Sequence, residues 1–236
     1  MASNRVDIGV PGINEITGGG FVPGSTILLS GEAGTGKTIF AQQFLHRGCE
    51  LGEPGLYITL DEPEVNLGWN IGSFGWQFRD FENSGLFKVY QLNMLKQGDV
   101  FEKITSELQC IERLIDQTKA KRVVIDSLTS FSMWTNDAQV LRLLISSLCD
   151  LLRQKKVTAV LTCEVIGLEI SRFGVEDFLT DTVIVLYLMS QTRALIVRKM
   201  RGSKHRNTLH PYELGDHGFI ANSREQVLWE AIAKNH

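Results

Sequence analysis

The sequence predicts an α/β protein: a central, mostly parallel sheet flanked by helices, with an antiparallel β extension toward its C-terminal end. Three observations carry this expectation. Short apolar runs alternate with helix-length segments from residue 26 to about residue 165. A glycine-rich turn, residues 31–38, joins the first of those runs to a helix. Beyond about residue 181 the helical spacing stops and β-type runs follow one another through short connections. Alternating strands and helices imply right-handed parallel crossovers with helices on both faces.

Residues 26–30 (TILLS) form a short apolar run of the kind that a strand buried on both faces shows. A helix is expected from near Gly36, with Phe40 and Phe44 on one face, ending between Gly48 and Gly52. A strand follows at 56–60, and Pro63 suits the first turn of the helix after it. Residues 87–92 read as the next strand. Ile104, Leu108, Ile111 and Ile115 then recur at helical steps and place a helix over about 99–118. Val123-Val124-Ile125 is another buried strand, Val140, Leu144, Leu148 and Leu151 mark a second long helix, and 158–161 is the next strand. The runs 182–188, 194–200, 211–214 and 219–221 read as a β-meander. No repeat, low-complexity stretch or linker interrupts the chain, so the expectation is one domain over 1–236.

The composition is that of an ordinary globular chain, 236 residues with 43% hydrophobic and 22% charged. A net charge of −3 and a pI near 6.0 give no global basic excess, which argues against nucleic acid except at a local patch. Cys49, Cys110, Cys149 and Cys163 lack CxxC spacing, which points to free thiols rather than a zinc site or a disulfide framework. No signal core opens the sequence and no apolar run reaches the ~20 residues that cross a bilayer. The expectation is a soluble, cytoplasmic protein.

Gly31-Glu32-Ala33-Gly34-Thr35-Gly36-Lys37-Thr38 is a complete phosphate-binding P-loop. Glycines let the backbone wrap closely enough for its N–H groups to face phosphates, and the helix start adds a favourable dipole. Lys37 is expected to reach the β- and γ-phosphates of ATP, and the Thr38 hydroxyl to coordinate Mg²⁺. Asp126 ends a buried strand, the place from which a carboxylate holds that ion directly or through water. Asp61 and Glu62 follow the second strand at the same sheet edge. Glu62, with its longer reach, is the expected general base and Asp61 its assistant, although both acids also suit a helix N-terminus. Thr162 and Glu164 end another strand there, either as γ-phosphate sensors or as plain strand termini.

Arg198, Lys199, Arg201, Lys204, His205 and Arg206 form a basic cluster. Simple alternation puts Lys199 and Arg201 on the face of Leu195 and Val197. Three readings stand side by side: a solvated strand end, a nucleic-acid patch, or cationic fingers for a neighbouring subunit's phosphates.

The segment Gly9-Val10-Pro11-Gly12-Ile13-Asn14-Glu15-Ile16-Thr17-Gly18-Gly19-Gly20 resembles the N-terminal signature of KaiC-like ATPases of the RecA superfamily. Asp61-Glu62-Pro63, Ser73-Phe74-Gly75-Trp76, Ile125-Asp126-Ser127, Arg172-Phe173-Gly174-Val175-Glu176, Lys199-Met200-Arg201-Gly202-Ser203 and Asp216-His217-Gly218 match that family in order. The resemblance implies a RecA-type core with ATP bound between protomers of a ring, usually a hexamer. It assigns Lys199, Arg201 and His205 to the neighbouring subunit's nucleotide, which favours the finger reading. It puts Ser73 and Asp216 near the base and ribose. The expected ATP-binding set is thus Gly34, Thr35, Gly36, Lys37, Thr38, Ile39, Ser73, Lys199, Met200, Arg201, Ser203, His205 and Asp216. Two adjacent glutamates are usual in the family where this chain has Asp61-Glu62. The tandem second domain and phosphorylated tail of the family's clock member have no counterpart here, so autokinase activity is not expected.

The expected function is a slow, Mg-dependent ring ATPase whose nucleotide state regulates an unidentified protein partner. The alternatives are a recombinase-like nucleic-acid-binding ATPase and a non-hydrolysing, ATP-dependent assembly scaffold. The guanine motif Asn-Lys-x-Asp is missing, which argues against a GTPase.

Overall fold

A computed structural model describes residues 5–60, 74–92, 99–188 and 192–228. After a single helical turn, α1 (Ile13–Ile16), come β1 (Thr26–Gly31), α2 (Lys37–Glu50) and β2 (Gly55–Thr59). The short α3 (Phe78–Asn83), β3 (Phe87–Gln91), α4 (Val100–Thr118) and β4 (Arg122–Asp126) follow. A 3₁₀ turn (Leu128–Met133) leads to α5 (Ala138–Gln154), β5 (Thr158–Glu164) and the one-turn α6 (Glu176–Leu179). The last quarter is β6 (Thr182–Leu188), β7 (Arg193–Met200), β8 (His210–Gly215) and β9 (Gly218–Ala221). The helix expected after Pro63 lies outside the described residues.

The strands make one sheet in the order β3-β2-β4-β5-β1-β6-β7-β8-β9. The pairs from β3 through β6 are parallel, and the β6–β7, β7–β8 and β8–β9 pairs are antiparallel. The expected architecture is therefore present, extension included. Successive residues of each central strand enter different cores. Leu28, Val123 and Ile125 pack with α4 and α5, whereas Ile27, Leu29 and Val124 pack with α2. Both faces are covered, which is why these strands read as unbroken apolar runs.

The long helices start where their caps dictate. Asp99 accepts from the N–H groups of Phe101 and Glu102 at the head of α4, and Asp137 does the same for Gln139 and Val140 at α5.

One alternation argument fails. Val183 pairs with Lys199 but Ile184 pairs with Val197, so Arg198 is an extra residue in β7. This bulge resets the two-residue period. Leu195 and Val197 share the α2-side core with Met200, not a face with Lys199 and Arg201. A bulge inside an otherwise regular run leaves no mark in an alternating pattern of side chains.

Candidate nucleotide site

The turn between β1 and α2 has the geometry a phosphate cradle needs. Gly34 and Gly36 sit at φ +79° and +90°, in the left-handed region where side chains are strained. Lys37 folds back over the turn, its Nζ donating to the carbonyls of Gly31 (3.0 Å) and Glu32 (2.9 Å). Burial pulls its pKa below the usual lysine range, and the nearby Glu164 and Asp126 carboxylates offset that only in part. A buried ammonium with one carboxylate 4.0 Å away (Glu164) is a strong attractor for further anionic oxygen.

In front of the turn lies a cavity of about 490 Å³, lined by Gly34, Gly36, Lys37, Thr38 and Ile39 together with Tyr57, Thr59, Asp126, Ser127, Glu164 and Leu214. Five residues of the expected phosphate set thus share one cavity. The sixth, Thr35, is buried beneath it, with its hydroxyl on the Glu32 carbonyl at 2.7 Å.

Asp126 collects three hydroxyls. Oδ2 accepts from Thr38 Oγ1 at 2.7 Å and from the Tyr57 hydroxyl at 2.6 Å, and Oδ1 accepts from Thr162 Oγ1. A carboxylate fixed on both oxygens is preorganised for one further interaction. Thr38 and Asp126 together offer adjacent hard oxygen donors at the cavity wall, which fits Mg²⁺. Among the described residues no group of three or more His, Cys, Asp or Glu side chains gathers that would hold a metal unaided. A divalent ion at Thr38 and Asp126 would accordingly share its shell with phosphate oxygens and water, the usual habit of Mg²⁺. Thr162 is engaged with Asp126 in this structure rather than standing free as a sensor.

Asp61, Glu62 and Ser73 lie outside the described residues. The last residue of β2, Thr59, is the parallel partner of Asp126. Asp216 is exposed at the β8–β9 turn, two residues beyond the cavity-lining Leu214.

Lys199, Met200, Arg201, Ser203 and His205 do not line this cavity. The Lys199 ammonium donates to the carbonyls of Asp177 (2.7 Å) and Thr180 (2.7 Å) around α6. Arg201 is 56% exposed in its side chain, touching the Phe178 carbonyl (3.1 Å) and Asp181 (3.5 Å). The Met200 side chain is buried in the α2-side core, which leaves its backbone as the accessible part. Ser203 accepts from Arg5 at 2.8 Å, and His205 Nδ1 has no hydrogen-bond partner among the described residues.

Two residues at the site carry no local motif. Tyr57 reads in the sequence as one more apolar strand residue. Tyr212 lies 177 positions from the loop it touches, its hydroxyl donating to the Thr35 carbonyl at 2.7 Å.

Comparison with known proteins bears on the family and the fold. The family described as the KaiC ATPase matches residues 6–225. A UPF0273 protein of Methanopyrus kandleri is 36% identical, over 98% of this chain and 96% of its own length. A circadian clock oscillator protein KaiC of Prochlorococcus marinus is 33% identical over 92% of this chain, which spans 46% of that longer protein. The crystal structure of a KaiC-like protein from Pyrococcus horikoshii superposes with a TM-score of 0.83 at 36% identity, covering 93% of this chain and 99% of that one. With a P-loop, an aspartate-tipped strand one removed from it in the same sheet and a nearly full-length match, this chain belongs to the KaiC-like ATPases and has their RecA-type P-loop fold.

Proposed function

We propose that residues 1–236 act as one Mg-dependent ATPase domain that hydrolyses ATP slowly, assembles into a ring, and signals its nucleotide state to a protein partner. The observation that carries this reading is the Thr38–Asp126 hydrogen bond in the cavity beside Lys37, which sets two oxygen donors for a metal next to a cation for phosphate. Lys37 and the loop N–H groups would bind the polyphosphate, and bound Mg²⁺ would neutralise charge on the β- and γ-oxygens. Glu62 would orient or deprotonate the attacking water, reaching in from beyond Thr59, the β2 residue that pairs with Asp126. Arg201, exposed and absent from its own chain's cavity, would neutralise phosphate on the neighbouring protomer, with Lys199 and His205 beside it.

The test is ATP turnover with and without Mg²⁺, combined with light scattering for mass. Turnover that needs Mg²⁺, and an assembly of several copies that forms with ATP, support the reading; a monomer under all conditions removes the ring. Glu62→Gln is expected to lower turnover by about 10²-fold or more, on the scale of general-base loss, while ATP affinity stays within a few-fold. Unchanged turnover would remove Glu62 from the mechanism.

The shared site has its own test. Arg201→Ala and Lys37→Ala are each expected to be nearly inactive alone. In a mixed ring, the intact P-loop of the first variant meets the intact Arg201 of the second, and part of the activity returns. No recovery on mixing, with mixed rings shown by mass, argues for a finger acting within one chain.

A further inference from the structure

We propose that Tyr212 is a positioning residue for the P-loop: by holding the Thr35 carbonyl, its hydroxyl keeps the Gly36 N–H turned into the nucleotide cavity. The inference rests on the reading of that cavity as a polyphosphate site.

The argument starts from the peptide unit. In a planar trans peptide the carbonyl and the N–H point to opposite sides. The Thr35 carbonyl accepts a buried 2.7 Å hydrogen bond from the Tyr212 hydroxyl, and neither Thr35 nor Tyr212 lines the cavity. The N–H of the same peptide belongs to Gly36, which lines the cavity and donates to no protein acceptor among the described residues. Whatever fixes the carbonyl therefore aims the donor.

The peptide needs such a tether. Gly36 sits at φ +90° with no side chain to resist rotation. Were the peptide to turn over, a carbonyl oxygen would face the phosphates in place of a donor. The exchange replaces an attraction with a repulsion.

The tether is itself held firmly. Tyr212 stacks on Phe219 with ring centres 4.2 Å apart and planes 11° apart, and Phe219 meets Phe40 of α2 edge-on at 5.4 Å. The Phe219 N–H donates to Gln43 Oε1 (2.9 Å), and Gln43 Nε2 donates to the Gly9 carbonyl (3.1 Å). The β8–β9 hairpin is thereby fastened to the helix that the P-loop begins. A Cβ on Gly36 would come within 2.8 Å of Leu214, so the hairpin also presses directly on the loop.

Two variants of the full chain separate this role from simple core packing. Tyr212→Phe keeps the ring and its stacking and removes only the hydroxyl. Phe219→Leu disturbs the stack and leaves the hydroxyl. Affinity for a fluorescent ADP is measured alongside thermal unfolding without nucleotide. Tyr212→Phe is expected to weaken ADP about 10-fold, the scale of one well-placed hydrogen bond to a charged group. Phe219→Leu loosens the stack but leaves the hydroxyl, and is expected to lose at least as much thermal stability while weakening ADP by clearly less than Tyr212→Phe does. The Gly36 amide resonance should move on ADP binding in wild type and move less in Tyr212→Phe. Equal ADP affinity in Tyr212→Phe and wild type overturns the inference and leaves the site reading intact. So does a Phe219→Leu loss as large as that of Tyr212→Phe. Failure of the wild-type chain to bind ADP at all overturns the polyphosphate reading and this inference with it.

Discussion

Lys37→Ala weakens nucleotide binding by about 10- to 150-fold, the expected result of losing a charged donor worth about 1.5–3 kcal/mol, and cuts turnover by a further ~10²–10³-fold. Two effects combine. The ammonium that would meet the phosphates is gone. The Gly31 and Glu32 carbonyls also lose the donor that draws the two sides of the turn together. Binding of a fluorescent nucleotide and single-turnover hydrolysis separate the two, because the first reads affinity and the second reads the step itself. The folded state should survive, since Lys37 is a buried cation whose removal also relieves its own desolvation. Wild-type affinity in the variant would detach the cavity from phosphate binding.

The second large effect concerns stability. Arg122 is 1% exposed at the foot of β4. It donates to Glu53 (2.6 Å) and to the carbonyls of Asp7 (2.7 Å) and Phe44 (2.9 Å), and its guanidinium lies 4.8 Å from the centre of the Phe44 ring. Replacement by alanine leaves two carbonyls without that donor and opens a void under α2. The expected loss is about 3–5 kcal/mol, the sum of two unpaired polar groups and a cavity. Glu53 adds little, being partly exposed and free to turn to water. Urea unfolding reads this as a midpoint shift with unchanged slope. Arg122→Lys should recover only part, because one ammonium cannot serve three acceptors on different elements. A loss under about 1 kcal/mol for the alanine variant would show that the network is dispensable.

Much of this was legible in advance because it is local. Residues 31–38 carry strand, turn and helix signals within one short window, and Asp126 stands at the end of an apolar run that can only be buried. What escaped depends on contacts between distant segments. Tyr57 looks like a core residue until the fold brings β2 beside β4 and lays its hydroxyl on Asp126. Tyr212 meets the P-loop only because a nine-stranded sheet returns its last hairpin over α2. The extra residue at Arg198 shows the opposite limit, where a local rule was readable and an interruption of the ladder cancelled it. The resemblance to KaiC-like ATPases supplied Ser203 and Asp216, and it chose the finger reading for Lys199, Arg201 and His205 over two others that their charge alone left standing.

Arg122 and Asp126 occupy the two ends of the same strand, and α2 answers both. Thr38 bonds to Asp126 at one end, and Gly48 lies so close to Arg122 at the other that a Cβ would meet its Cδ at 2.4 Å. Ten residues of helix from Thr38 to Gly48 rise ~15 Å. Four steps of strand from Asp126 back to Arg122 cover ~13 Å. The two lengths nearly coincide, so helix and strand are commensurate between these contacts, like two rulers registered at both marks. A residue added to α2 between them would lift one mark by ~1.5 Å and swing it by ~100° about the helix axis, so both could not be met at once. The spacing of the Thr38 and Asp126 oxygens is in this sense measured out from a buried arginine at the other end of the strand.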